Sequence, residues 1–189
     1  MPSLTPLAIS ALALLNERAM HPYEMYQLLL ERHEDRIVRV TPGSLYRTVE
    51  RLTEDGLAEA TGTTRSGNRP ERTTYAITEA GRTALVERIR EILRAPVNEF
   101  PSFALALSEA HNAPARAVCA DLRAHVEAVT RENHEIDCLV DTLTAQDVAE
   151  AYWVTADYIR HMNDAHQAWI RAFVDRLEKG ALPWPHLQP

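Results

Sequence analysis

From Val40 to Gly56 the chain reads VTPGSLYRTVERLTEDG, and this stretch restricts the fold more than any other. Thr41 is placed to cap a helix whose first turn holds Pro42, with Val40 and Leu45 as a hydrophobic staple across its start. Leu45, Val49 and Leu52 are spaced by four and three, so they share an inward face, while Ser44, Arg47, Thr48 and Arg51 share the opposite one. Gly56 predicts a left-handed C-terminal stop, after which the pattern turns to strand. A short helix carrying small, hydroxyl and arginine side chains on its solvent face suits insertion into a DNA major groove.

The same capping device stands twice upstream. Leu4-Thr5-Pro6 opens a first helix, with Leu4 and Ile9 as the staple. Its leucines Leu7, Leu12, Leu14 and Leu15 make it apolar on most sides, which predicts a place in a core or at a subunit contact. Met20-His21-Pro22 opens a second helix running to about Arg32, with Glu24 at the capping-box position, Met20 facing Met25, and Met25, Leu28 and Leu29 buried. His21, beside a proline at a helix start, reads as a cap rather than a ligand or base.

After Gly56, LAEAT and RTTYAIT alternate on either side of TGTTRSGNRPE, which predicts a β-hairpin around a basic turn. Three helices and a hairpin make the winged helix-turn-helix plan, with the hairpin tip as wing. Arg65, Arg69 and Arg72, on or beside that tip, would meet phosphates or a minor groove, while Tyr75 and Ile77 pack inward. The whole chain carries a formal charge of −7, but from Arg36 to Tyr75 seven arginines stand against five acids, a local +2. A locally positive patch on an acidic body favours specific docking over promiscuous phosphate binding.

Thr78 is placed to cap the next helix, with Leu85, Ile89, Ile92 and Leu93 as its stripe and Pro96 as its end. A linker from Asn98 to Ser102 leads to a short apolar helix around Phe103 to Leu107 and a turn at Asn112 to Pro114. Two long helices follow. In the first, Val118, Leu122, Val129, Ile136, Val140 and Leu143 recur near heptad spacing. In the second, with Thr144 as its expected cap, Val148, Tyr152, Thr155, Ile159, Met162, His166, Trp169 and Phe173 step by four and three. So narrow a seam on two helices predicts a partner chain. The tail ALPWPHLQP is expected to hang free or to dock across that partner. Cys119 and Cys138 fall nineteen residues apart on one helix, roughly 28 Å, so they cannot pair within the chain, and both read as small buried thiols.

Together several motifs resemble the PadR family of transcriptional regulators. They are His21-Pro22-Tyr23-Glu24-Met25, Pro42-Gly43-Ser44-Leu45-Tyr46-Arg47, Leu52 with Glu54-Asp55-Gly56-Leu57, and Arg72 with Tyr75-Ala76-Ile77-Thr78-Glu79-Ala80-Gly81. They span roughly the first 90 residues; beyond them only the layout resembles longer-tailed members. The resemblance implies a homodimeric, mostly repressing, bacterial DNA-binding protein with its C-terminal helices as the dimerisation arm. It matches Tyr23 to a tyrosine near the DNA backbone, and Tyr46 and Arg47 to positions on the helix that enters the groove. Pro22 stands where many relatives carry glycine. Relatives also hold small aromatic compounds near the arm, where this chain has Trp153, Tyr158, His161, His166 and Trp169.

The expected architecture is mainly α, with a winged helix-turn-helix DNA-binding domain at 1–95, an all-α dimerisation and candidate effector domain at 96–180, and an irregular tail at 181–189. The expected DNA-contacting residues are Tyr23, Thr41, Ser44, Tyr46, Arg47, Thr48, Arg51, Arg65, Arg69 and Arg72, on a palindromic duplex. The candidate effector residues are Trp153, His166 and Trp169. No glycine-rich phosphate loop, HExxH or paired-cysteine spacing is present, and His161 and His166 are five apart, poorly aligned for one metal. Enzyme, cofactor and metal are therefore not expected. No apolar run reaches membrane-spanning length and no secretory signal opens the chain, so a cytoplasmic location is the expectation. The competing function is a winged helix that docks protein instead of DNA.

Overall fold

The computed structural model describes residues 4–64 and 72–185, which divide into two compact units, 1–98 and 99–189. Three prolines start its first three helices: α1 (Pro6–Glu17), α2 (Pro22–Glu31) and α3 (Pro42–Glu54). Proline suits the position because its ring presets φ and its missing N–H would have no helical partner there. Each is preceded by the predicted cap. Thr5 Oγ1 accepts the Ala8 N–H at 3.3 Å, His21 Nδ1 accepts the Tyr23 N–H at 3.1 Å, and Thr41 Oγ1 accepts the Ser44 N–H at 3.1 Å. Glu24 does not close a capping box as its spacing predicts; it turns outward to Arg18 at 2.5 Å, where a full opposite charge is the stronger partner.

The first core is built on α1, which buries Leu7, Ala8, Ala11, Leu12, Leu14 and Leu15. Met25 and Leu29 of α2 and Leu45, Val49 and Leu52 of α3 join it. Gly56, at φ +72°, ends α3 as predicted: the Leu57 N–H reaches back to the Leu52 carbonyl at 2.8 Å. The hairpin follows as β1 (Ala58–Thr64) and β2 (Arg72–Ile77), antiparallel, with Ala58 opposite Ile77 and Ala60 opposite Tyr75. The register slips between Ala60 and Gly62, with Thr61 as the extra residue of a bulge, and β1 continues through Gly62 beyond the predicted LAEAT. Met20 and Tyr75 exchange both backbone hydrogen bonds, at 3.0 and 3.1 Å, and tie the α1–α2 connection to the hairpin. Thr78 then caps α4 (Glu79–Arg94), accepting the Gly81 N–H at 3.0 Å.

The predicted stripe on α4 is only partly buried. Leu85 is in the core, but Ile89, Ile92 and Leu93 are exposed, because the core ends after the first two turns of the helix.

The second unit holds α5 (Ser102–Glu109), α6 (Ala115–Ala145) and α7 (Val154–Glu178). Along α6 the predicted seam holds, with Val118, Leu122, Val129 and Ile136 buried. Along α7 it does not. The buried line is Gln167, Ile170, Val174 and Leu177, while Tyr152, Met162 and Trp169 are 85%, 51% and 48% exposed. The intrachain seam runs through polar residues that an apolar pattern rejects, and they are satisfied there. Thr130 donates to Gln167 Oε1 at 3.3 Å, Asn163 donates to Asn133 Oδ1 at 2.9 Å, and Asn133 donates to Asp164 at 3.3 Å. Thr144 lies inside the last turn of α6 and is not a cap; α7 starts only at Val154, after a short turn at Glu150–Tyr152. Through residue 185 the tail does not hang free: Leu182 and Trp184 pack on this unit's own core, and Trp184 Nε1 donates to the Ala113 carbonyl at 2.9 Å. Cys119 is buried as expected, but Cys138 is exposed, two positions round the helix from Ile136.

A Cβ built on Gly81 would lie 2.1 Å from the Leu57 carbonyl oxygen and 2.8 Å from Ile77 Cγ1, both in fixed structure. Gly81→Ala should therefore cost about 1–3 kcal/mol through overpacking, read as a lower denaturant midpoint; an unchanged midpoint would show that α4 is free to shift.

Candidate nucleic-acid interface

Leu45, Val49 and Leu52 are essentially sealed, which turns the other side of α3 outward and leaves Tyr46, Arg47 and Arg51 exposed. The hydroxyl residues on that side are occupied by the helix itself. Thr41 and Ser44 form a reciprocal capping box, the Thr41 N–H donating to Ser44 Oγ at 2.9 Å and Ser44 N–H to Thr41 Oγ1 at 3.1 Å. Ser44 Oγ also donates to the Thr41 carbonyl, and Thr48 Oγ1 to the Ser44 carbonyl, each at 2.9 Å. Their spacing placed Thr41, Ser44 and Thr48 toward DNA; the geometry uses their hydroxyls to start and hold the helix. The arginines have no such partner: among the described residues neither Arg47 nor Arg51 is in an ion pair. Arg47 lies back along the first turn, its Nη1 4.0 Å from a Cβ built on Gly43.

His21 connects this helix to α2. Its Nδ1 holds the start of α2, and the Tyr46 hydroxyl stands 3.5 Å from its Nε2 with the two rings edge to face at 5.6 Å. Tyr23, exposed one residue into α2, tilts against Tyr26 at 6.4 Å. One imidazole thus sits between Tyr23 and Tyr46. The cap was visible locally, but the second nitrogen's partner lies 25 residues on and had no local signal.

An ion pair joins the ends of α1 and α2. Arg32 grips Glu17 through both oxygens, at 2.5 and 2.8 Å, and the guanidinium holds the Glu17 carboxyl below its ordinary pKa. Arg65 and Arg69 lie outside the described residues. Arg72 is in β2, opposite Thr64.

The three candidate effector residues are not brought together. Trp153 closes the α6–α7 turn, its Nε1 donating to the Val148 carbonyl at 3.1 Å. Trp169, sixteen residues or about 24 Å along the chain if helical throughout, stacks on Phe173 with ring centroids 5.1 Å apart. His166 meets His125 of α6, with the two Nε2 atoms 3.0 Å apart, and the Phe103 ring lies 4.8 Å from one imidazole and 4.6 Å from the other. Burial, then the neighbouring His125, holds the His166 imidazole below its ordinary pKa.

Residues 11–87 match the model of the transcriptional regulator PadR-like family. Among solved structures the chain is similar to Bacillus subtilis PadR in complex with operator DNA, at 15% identity and TM-score 0.74, over 92% of this chain and 99% of that one. The same protein in complex with p-coumaric acid matches at 13% identity and TM-score 0.74, over 91% and 98%. The Vibrio cholerae virulence activator AphA matches at 19% identity and TM-score 0.66, over 92% and 98%. These likenesses show the fold. No curated protein matches the chain.

Replacing His21 by alanine should cost about 1 kcal/mol of stability through the lost cap, whereas His21→Asn should keep the cap and lose only the tie to Tyr46; equal stability of all three proteins in denaturant would remove His21 from the architecture. The His166 shift has a definite sign. A histidine depressed in the folded state binds fewer protons there than when unfolded, so its contribution is full above pH ~6.5 and is lost as pH falls through the folded-state value. The melting temperature should drop between pH 7 and 5 more steeply for the wild type than for His166→Gln.

Proposed function

We propose, from the match of residues 11–87 to the PadR-like family of transcriptional regulators, that the chain binds duplex DNA as a twofold dimer and represses transcription. One observation supports this most: the arginine side of α3 is bare while the side behind it is sealed. In this reading α3 enters the major groove with Tyr46, Arg47 and Arg51 outward. Arg47 and Arg51, one turn apart, hydrogen-bond guanine edges through their planar forks. Tyr23 meets the backbone, and Arg65, Arg69 and Arg72 carry the wing to phosphates or the minor groove. Thr41, Ser44 and Thr48 line the approach and hold the helix start rigid. The DNA-bound relative supports this placement by its shared fold.

Residues 1–95 form the DNA-binding domain in this reading, and 96–180 the dimerisation arm. Met162 and Trp169, one heptad apart on α7, and Tyr152 in the turn before it are apolar and uncovered within the chain, so a second copy is the natural occupant. Two α3 helices about 34 Å apart then read a palindrome. A small aromatic effector acts at the arm, near His166, and releases the operator. The protein is not an enzyme and works in the cytoplasm; among the described residues no helix is long and apolar enough to cross a membrane.

Arg47→Ala and Arg51→Ala should each weaken binding to a selected operator by about 1–3 kcal/mol and relax preference at one base pair. Uniform weakening on all sequences would move that arginine to phosphate. Wild-type binding to random DNA should fall steeply with salt, and none at low salt would favour a protein-docking adaptor. Met162→Glu with Trp169→Glu should yield a folded monomer by sedimentation; a persisting dimer would place the interface elsewhere.

A further inference from the structure

We propose that His125 and His166 form a two-point chelate for a divalent transition-metal ion of the zinc and nickel class, bridging α6 and α7. The pair comes from two helices, 41 residues apart in the chain, with Nε2 atoms 3.0 Å from one another. An imidazole nitrogen binds such an ion at about 2.0–2.1 Å, so two on one ion stand about 2.9 Å apart at a right-angled bond angle and about 3.3 Å apart at a tetrahedral one. The observed separation falls inside that interval. One of the two Nε2 atoms carries the hydrogen that joins the rings, so ion binding displaces that proton, to the ring's own Nδ1 by tautomer exchange or to solvent, and turns both lone pairs onto the ion.

The rings are set before any ion arrives. Phe103 lies against both, and the helices beneath them are packed through Leu122, Val126 and Ile170. A ligand pair already held in place loses little conformational freedom on binding. Both imidazoles are half-buried, so an ion can enter and keep water on its remaining positions. Among the described residues each ring's hydrogen-bond partner is the other ring, and no cluster of three or more candidate ligands exists. The site therefore suits an exchangeable ion rather than a permanent structural one. Sequence spacing could test only histidines on one helix, where His161 and His166 fail; this pair is made by the hairpin. The proposal does not draw on the DNA-binding reading.

The test uses the full chain without a histidine tag, stripped with chelator and titrated calorimetrically with Zn2+ and then Ni2+. One saturable site per chain is expected, with an unfolding midpoint that rises with the logarithm of metal concentration. His125→Gln and His166→Gln should each lower the affinity at least tenfold, while His161→Gln leaves it unchanged. Should either variant fail to fold without metal, broadening of the His125 and His166 ring resonances by Ni2+ in the wild type decides. Absence of saturable binding, or no change in both variants, overturns the proposal. So does loss of binding in Cys138→Ser, whose thiol lies 3.9 Å from His134 Nε2 and is the competing site on α6.

Discussion

The burial of Leu45, Val49 and Leu52 against α1 and α2 sets the rotation of α3 about its own axis, and everything on its outer side follows from that setting. Each such side chain contributes about 1.5–3 kcal/mol when taken fully out of water, whereas the exposed Arg47 and Arg51 make no ion pair among the described residues. Turning the helix by one residue, about 100°, would expose aliphatics and press a guanidinium into the core, where an unpaired charge costs several kcal/mol. The direction in which Arg47 and Arg51 point is therefore a by-product of packing three aliphatics. The backbone under that outer side is held by the buried face alone.

The same economy appears in the caps. Hydroxyls that a groove could have used are consumed in holding the helix start: Ser44 is at once donor and acceptor for Thr41, and Thr48 is bonded back to Ser44. What remains for a partner is long, planar and charged or aromatic. His21 extends this logic between helices, since one ring nitrogen terminates α2 and the other stands by the Tyr46 hydroxyl. The imidazole thus links the start of α2 to the outer side of α3, and the Met20–Tyr75 bridge in turn anchors the residue just before it.

Local chemistry was readable in the sequence; placement against distant partners was not. Thr5, His21, Thr41 and Thr78 cap where their spacing put them, and Gly56 stops α3, because a cap needs only residues within one turn. The inward face of α3 was equally plain. Burial further on depends on what lies opposite. Ile89, Ile92 and Leu93 keep a helical apolar spacing although the domain core has ended. On α7 the apolar row and the buried row are different rows, because Gln167 can be buried once Thr130 stands across from it, and the buried Asn133 of α6 is met by Asn163 and Asp164. The meeting of His125 and His166, and that of His21 with Tyr46, are long-range events with no local trace.

The inversion on α7 has a consequence for the hairpin's energetics. Inside the chain, part of the α6–α7 contact is a polar layer, whose hydrogen bonds contribute modestly because water would satisfy the same groups in the unfolded chain. Outside, the same helix leaves Met162 and Trp169 exposed, and the turn before it leaves Tyr152 so. Polar groups at such a layer are better at fixing how two helices align than at holding them together. Much of the hydrophobic stabilisation available to α7 is therefore still ungained in a single chain, and a second copy would supply it. Under the dimer reading, assembly then both completes the arm and presents two α3 helices to one duplex, so that ordering of the arm and affinity for a two-site target are coupled through a single surface.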